Sequence, residues 1–118
     1  MAGTGKERGR MKMDTDIIKA SIDHYGKTVQ SVVCMEECCE LAQAISKEMR
    51  GKPDKQHLTE EMADVLICIE MLKQMYGISN DDIERWVAIK QYRTVKRIED
   101  EGYEIIRKID GGGVDESK

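Results

Sequence analysis

The sequence has no phenylalanine, a single proline at position 53, and only one tryptophan and four tyrosines as aromatics. Sheet proteins lean on aromatic and β-branched side chains, so this scarcity, beside many Leu, Ile, Val and Met, favours a helical bundle. No apolar run approaches the roughly 18 to 20 residues that span a bilayer, and the N-terminus has no apolar signal-peptide core. The expectation is a soluble, cytoplasmic protein without membrane contact. A basic excess is missing too: the net charge is −4, which argues against a general nucleic-acid binder.

Zinc knuckles of the CxxC type are absent. The four cysteines, Cys34, Cys38, Cys39 and Cys68, all fall in segments of helical periodicity, so reduced, buried thiols are expected rather than a disulfide framework. A thiolate site of Cys34, Cys38 and Cys68 lacks the spacing and histidine partners that such sites use. His24 and His57 stand singly near predicted helix ends, where capping or solvent exposure is expected.

At 118 residues the chain is one domain with a single modest core. Residues 1–13, rich in Gly, Lys and Arg, are expected to be disordered, residues 14–109 to form the helical domain, and residues 110–118 to be a flexible tail. Within the domain, Ile17, Ile18 and Ile22 with Asp14 as N-cap predict a first helix ending near His24. A second runs from about Lys27 to Met49 or Arg50 with Val29, Val32, Val33, Leu41, Ala42, Ile45 and Met49 as its apolar stripe, and Gly51 to Asp54 stops it. A third starts between Asp54 and Thr59 and reaches Tyr76, holding Leu58, Met62, Val65, Leu66, Ile69, Leu72 and Met75, with Gly77 as its stop. Ser79 followed by Asp82 predicts the start of a fourth, which continues past Ile98 toward Ile105 and Ile109 with a weak point at Gly102.

What the chain has in abundance is charge, 36% of residues, distributed unevenly. No Lys or Arg occurs between Val29 and Ser46 or between Leu58 and Leu72, and those two stretches carry Glu36-Glu37-x-x-Glu40 and Glu60-Glu61-x-x-Asp64. Residues three apart on a helix lie only about 60° from each other around its axis, so Glu37 pairs with Glu40 and Glu61 with Asp64. A single ExxE on a helix is ordinarily a solvated acidic face. Here the neighbours include Val33, Leu41, Val65 and Ile69, and carboxylates in such surroundings are costly unless paired or metal-bound. Two such pairs facing each other across a helix interface offer the all-oxygen ligand set that Mg²⁺ or Mn²⁺ prefers. The Glu-x-x-His motif of di-iron bundles is absent, which sets that class aside.

On the fourth helix Lys90, Arg93 and Arg97 share one face, a pattern that suits either a solvated basic surface or a clamp for phosphate oxygens. Lys47, Arg50 and Lys52, near the end of the second helix, are a second candidate set. An acidic metal site joined to a basic strip is what phosphoryl chemistry requires.

With these motifs in view the sequence resembles the MazG-like all-α nucleoside triphosphate pyrophosphohydrolases. The resemblance rests on Glu36-Glu37-x-x-Glu40-Leu41 followed by Glu60-Glu61-x-x-Asp64-Val65. It extends over roughly Ile17 to Ile98, including Ala44-x-x-Lys47, Arg50-Gly51-Lys52 and Lys90-x-x-Arg93-x-x-x-Arg97. It implies an antiparallel bundle of four to five helices completed by oligomerisation, as a dimer or a dimer of dimers. It also implies a Mg²⁺-dependent enzyme that cleaves a nucleoside triphosphate between the α and β phosphates, giving a monophosphate and pyrophosphate. Matching motif positions makes Glu37, Glu40, Glu61 and Asp64 the metal ligands, Glu36 either a support behind those ligands or an aid to water activation, and Lys90, Arg93 and Arg97 the phosphate contacts. The family pattern on that strip reads Lys-x-x-x-Asn-x-x-Arg, and this chain has Thr94 where Asn is expected. Two other readings stay open: a phosphoribosyl-ATP pyrophosphohydrolase, and a non-catalytic helical interaction module. The base recognised is not legible.

Overall fold

Four α-helices make up the computed structural model, which describes residues 12–105. Helix α1 spans Thr15–Tyr25, and Asp14 caps it as expected, its Oδ1 accepting from the N–H groups of Asp16 at 3.0 Å and Ile17 at 3.2 Å. Gly26 at φ 95° turns the chain directly into α2, Lys27–Met49. The short connection to α3, Lys55–Tyr76, is closed by Glu48, whose Oε2 accepts from the backbone N–H of Asp54 at 2.7 Å. Gly77 ends α3 in the left-handed region at φ 68°, the conformation that a glycine C-cap supplies without strain. Ser79 then caps α4, Asn80–Asp100, by accepting from Asp82 N–H at 3.0 Å.

The fourth helix is shorter than its periodicity predicts. It ends at Asp100 in a turn over Glu101 and Gly102, the latter at φ 93°, so the expected weak point is a true terminus. Ile109, together with residues 1–11 and the whole of 110–118, lies outside the described residues. Met13, assigned by composition to the N-terminal segment, packs against the core. No helix among the described residues is long and apolar enough to cross a membrane.

The chain divides into two compact units, with the division between Ile78 and Ser79. The first holds α1, α2 and α3, the second α4. In the first, α2 and α3 form a hairpin on which α1 lies. Its core is small: Ile18, Cys34, Cys68 and Met71, edged by Met13, Ile22, Val33, Leu72 and Met75. Cysteine's small side chain lets the helices approach, and Cys34 Sγ reaches the carbonyl of Cys68 at 3.7 Å. Burial pushes the Cys68 thiol up to about 12 and raises Cys34 as well, so both remain protonated and act as small apolar spacers. Cys38 and Cys39, expected to be buried, are exposed. Buried Gln30 is satisfied by donating to Ser21 Oγ at 3.2 Å, and that hydroxyl donates on to the Ile18 carbonyl at 2.8 Å.

The inward stripes differ from the apolar ones read from sequence. On α2 the residues turned in are Gln30, Cys34, Glu37, Leu41 and Ala44, while Val29, Val32, Ile45 and Met49 are exposed. On α3 they are Glu61, Asp64, Cys68, Met71 and Met75, while Met62, Leu66 and Ile69 are exposed. Both inward sets advance by alternating three and four residues, the step of one helix face. Each carries the acidic residues within the same stripe as the core.

Candidate metal site

Because Glu37 lies three residues beyond Cys34, and Asp64 four before Cys68, the face that brings the cysteines together also brings the carboxylates together. One oxygen from each of Glu37, Glu61 and Asp64 falls within 4.8 Å of the other two. Glu61 is 7% exposed, and the Oε1 atoms of both Glu37 and Glu61 are buried with no hydrogen-bond partner. Among the described residues no lysine or arginine forms an ion pair with any of the three.

Electrostatics follow from this geometry. Desolvation, then the negative charges of Asp64, Glu40 and Glu61, raise Glu37 from the ordinary carboxylate range to about 7. Orphaned buried carboxylate oxygens are rare in folded proteins, since each carries the cost of its lost hydration. Three carboxylates with two such oxygens supply the hard, anionic donor set that a divalent cation such as Mg²⁺ or Mn²⁺ requires, so the residues present fit that group.

The sequence-derived candidates separate by position. Glu37, Glu61 and Asp64 converge. Glu40 is exposed and stands outside the group of three, although its charge acts on Glu37. Glu36 is exposed on α2. Lys90, Arg93 and Arg97 are exposed on α4, in the second unit. There Lys90 Nζ and Arg93 Cζ sit 6.0 and 5.9 Å from the ring centroid of Trp86, and Arg97 donates to Thr94 Oγ1 at 3.4 Å. Thr94 in turn donates to the Lys90 carbonyl at 3.0 Å. Lys47, in the last turn of α2, and Lys52, in the loop that follows, are exposed.

One residue at the cluster was not marked as part of it by sequence. His57 Nδ1 lies 3.8 Å from Glu61 Oε2. The signal was there as an i,i+4 spacing on one helix, but a lone histidine near a helix start also reads as a surface residue.

Comparison with known proteins gives two matches. The model of the MazG nucleotide pyrophosphohydrolase domain matches residues 27–90, from the first residue of α2 into α4. The uncharacterized protein YvdC of Bacillus subtilis is 35% identical over 86 residues, covering 64% of this chain and 78% of that protein. No solved structure matches the chain.

Proposed function

The chain belongs to the family of MazG nucleotide pyrophosphohydrolase domains, and on that premise we propose that it is a Mg²⁺-dependent hydrolase of nucleoside triphosphates. Water cleaves the substrate between the α and β phosphates, and the products are a nucleoside monophosphate and pyrophosphate. The observation that carries this reading is the convergence of Glu37, Glu61 and Asp64 within 4.8 Å, with two buried oxygens unpartnered and no lysine or arginine paired to the three among the described residues.

In this reading Glu37, Glu61 and Asp64 hold the metal. Glu40, one turn beyond Glu37, completes the set through its motif position. Glu36, beside Glu37, assists in activating the water. A bound Mg²⁺ neutralises phosphate charge and lowers the pKa of a bound water. Lys90, Arg93 and Arg97 contact the phosphate oxygens, Arg with a bidentate fork and Lys as a mobile point charge, and Lys47 and Lys52 are a secondary set.

A second copy of the chain is part of this reading. The first unit buries few apolar side chains, while Met35 and Met62 are 68% and 51% exposed and Leu66 and Ile69 also face out. Exposed apolar side chains on a small domain are expected to be covered by association, and closed homo-oligomers are the commonest solution.

The test is pyrophosphate release from a panel of ribo- and deoxyribonucleoside triphosphates with Mg²⁺, native chain against Glu61→Gln. Release by the native chain alone, with monophosphate as co-product, supports the assignment. Turnover confined to phosphoribosyl-ATP would replace the substrate class. Absence of release from every substrate by a folded, helical protein would overturn the hydrolase reading.

A further inference from the structure

Glu61 differs from the other two carboxylates in having a histidine nitrogen beside one of its two oxygens. Its Oε1 is buried and unpartnered, and its Oε2 lies 3.8 Å from Nδ1 of His57, one turn earlier on α3. The two oxygens of one carboxylate therefore have separate surroundings, a protein nitrogen for one and none for the other. We propose that His57 is a positioning residue for the metal site: it holds Glu61 through Oε2 and leaves Oε1 as the ligand atom. This rests on the metal-site reading given above and goes beyond the motif, which ends at the carboxylates.

His57 is itself held by the connection between α2 and α3. Its backbone N–H donates to the capping Asp54 Oδ1 at 3.0 Å, and the Asp54 backbone N–H donates to Glu48 Oε2 at 2.7 Å. Glu48, Asp54, His57 and Glu61 thus form a continuous line from the last turn of α2, through the N-cap of α3, to the carboxylate. A ligand on a long, flexible glutamate side chain loses less rotamer freedom on binding if the side chain is already fixed, which is why partners of metal-ligating carboxylates matter for affinity. The present 3.8 Å is longer than a hydrogen bond. Contacts of this kind at catalytic sites are often long and shorten when the ligand is bound.

The side chain of His57 is 39% exposed, so its removal leaves no core cavity. A structural role would show as lost metal-free stability, with any loss of metal affinity following from it. The positioning role demands lost metal affinity at unchanged metal-free stability.

The experiment compares the native chain with His57→Ala and His57→Asn in Mn²⁺ binding, read by electron paramagnetic resonance of the free ion, and in metal-free melting temperature. Asn retains a donor nitrogen close to the Nδ1 position. The expected result for His57→Ala is a rise of about tenfold or more in the Mn²⁺ dissociation constant, the size typical of lost supporting contacts, with the metal-free melting temperature little changed and partial recovery in His57→Asn. Equal Mn²⁺ affinity in the native chain and His57→Ala overturns the positioning role while leaving the metal site intact. A weakened affinity matched by a lowered metal-free melting temperature and unrelieved by Asn also overturns it, in favour of a structural role. No Mn²⁺ binding by the native chain removes the metal site itself and the role of His57 with it.

Discussion

Glu37 and Glu61 meet across the seam between α2 and α3 with their Oε1 atoms both buried and both without a hydrogen-bond partner. Like charges brought together in partial burial oppose folding, and the same arrangement favours whatever cation enters. The site is therefore expected to lower the stability of the metal-free protein and to raise that of the metal-bound one.

Mg²⁺ or Mn²⁺ is expected to raise the melting temperature, because a ligand bound only by the folded state stabilises it by about 2.7 kcal/mol at a hundredfold excess over its dissociation constant. Glu61→Gln or Asp64→Asn is expected to abolish that gain. In metal-free buffer the same variants should melt no lower than the native chain, since each removes a repulsive charge. A scanning calorimetry series with and without metal reads both effects, and a metal-induced gain that persists in either variant contradicts the ligand assignment.

The proton on Glu37 gives a pH dependence with a definite sign. Its pKa is raised from 4.5 to about 7, so between those values the folded state holds a proton that the unfolded chain has released. Metal-free stability should then fall as pH rises from about 4.5 to about 7 and level off above, by the linkage of proton binding to folding. Metal binding needs the carboxylate ionised, so the Mg²⁺-induced stabilisation should grow over the same window. Glu37→Gln is expected to flatten the metal-free profile in urea titrations at successive pH values.

Ile18 joins α1 to the hairpin through a buried cluster that it forms with Cys34, Cys68 and Met71. Ile18→Ala is expected to cost roughly 2 to 5 kcal/mol, a large fraction of the stability of a domain this size. Denaturant unfolding followed by circular dichroism measures it.

The turn between α3 and α4 has two local determinants that can be separated. Gly77 sits at φ 68° with nothing within 4 Å of an added Cβ, so Gly77→Ala should cost about 1 to 2 kcal/mol through backbone conformation alone. Ser79→Ala removes the cap on Asp82 N–H and should cost about 1 kcal/mol. Shifts of melting temperature in the two variants measure the two contributions.

If a second copy covers the exposed apolar side chains of the hairpin, a charge placed among them should separate the copies. Leu66→Glu or Ile69→Glu is expected to lower the sedimenting mass to that of one chain while leaving the circular dichroism of the monomer helical. An unchanged mass in both variants places the interface elsewhere.

Helix limits were legible because their determinants are local. Asp14 and Ser79 accept from the first turns they precede, and Gly77 occupies a conformation that other residues resist, so these ends can be read from a few adjacent letters. The acidic pairing was legible for a related reason. A helical step of three residues sets Glu61 and Asp64 on one face whatever lies opposite. Where local signals conflict with extent, as in the run beyond Ile98, the glycine at 102 ended the helix although apolar spacing continued.

Which face turns inward was decided only by the partner helix. Periodicity says that Val29, Val32 and Met49 share surfaces with some residues and not others; it does not say whether those surfaces or the one through Cys34 and Ala44 meets α3. The short cysteine side chains at 34 and 68 allow a close approach, and that contact carries Glu37, Glu61 and Asp64 into the seam while leaving Glu40 exposed one turn on. Sequence alone determined which residues can stand together on a helix. The packing of α2 on α3 determined which of them meet across it, because burial depends on distance in space and a helical repeat encodes only angle.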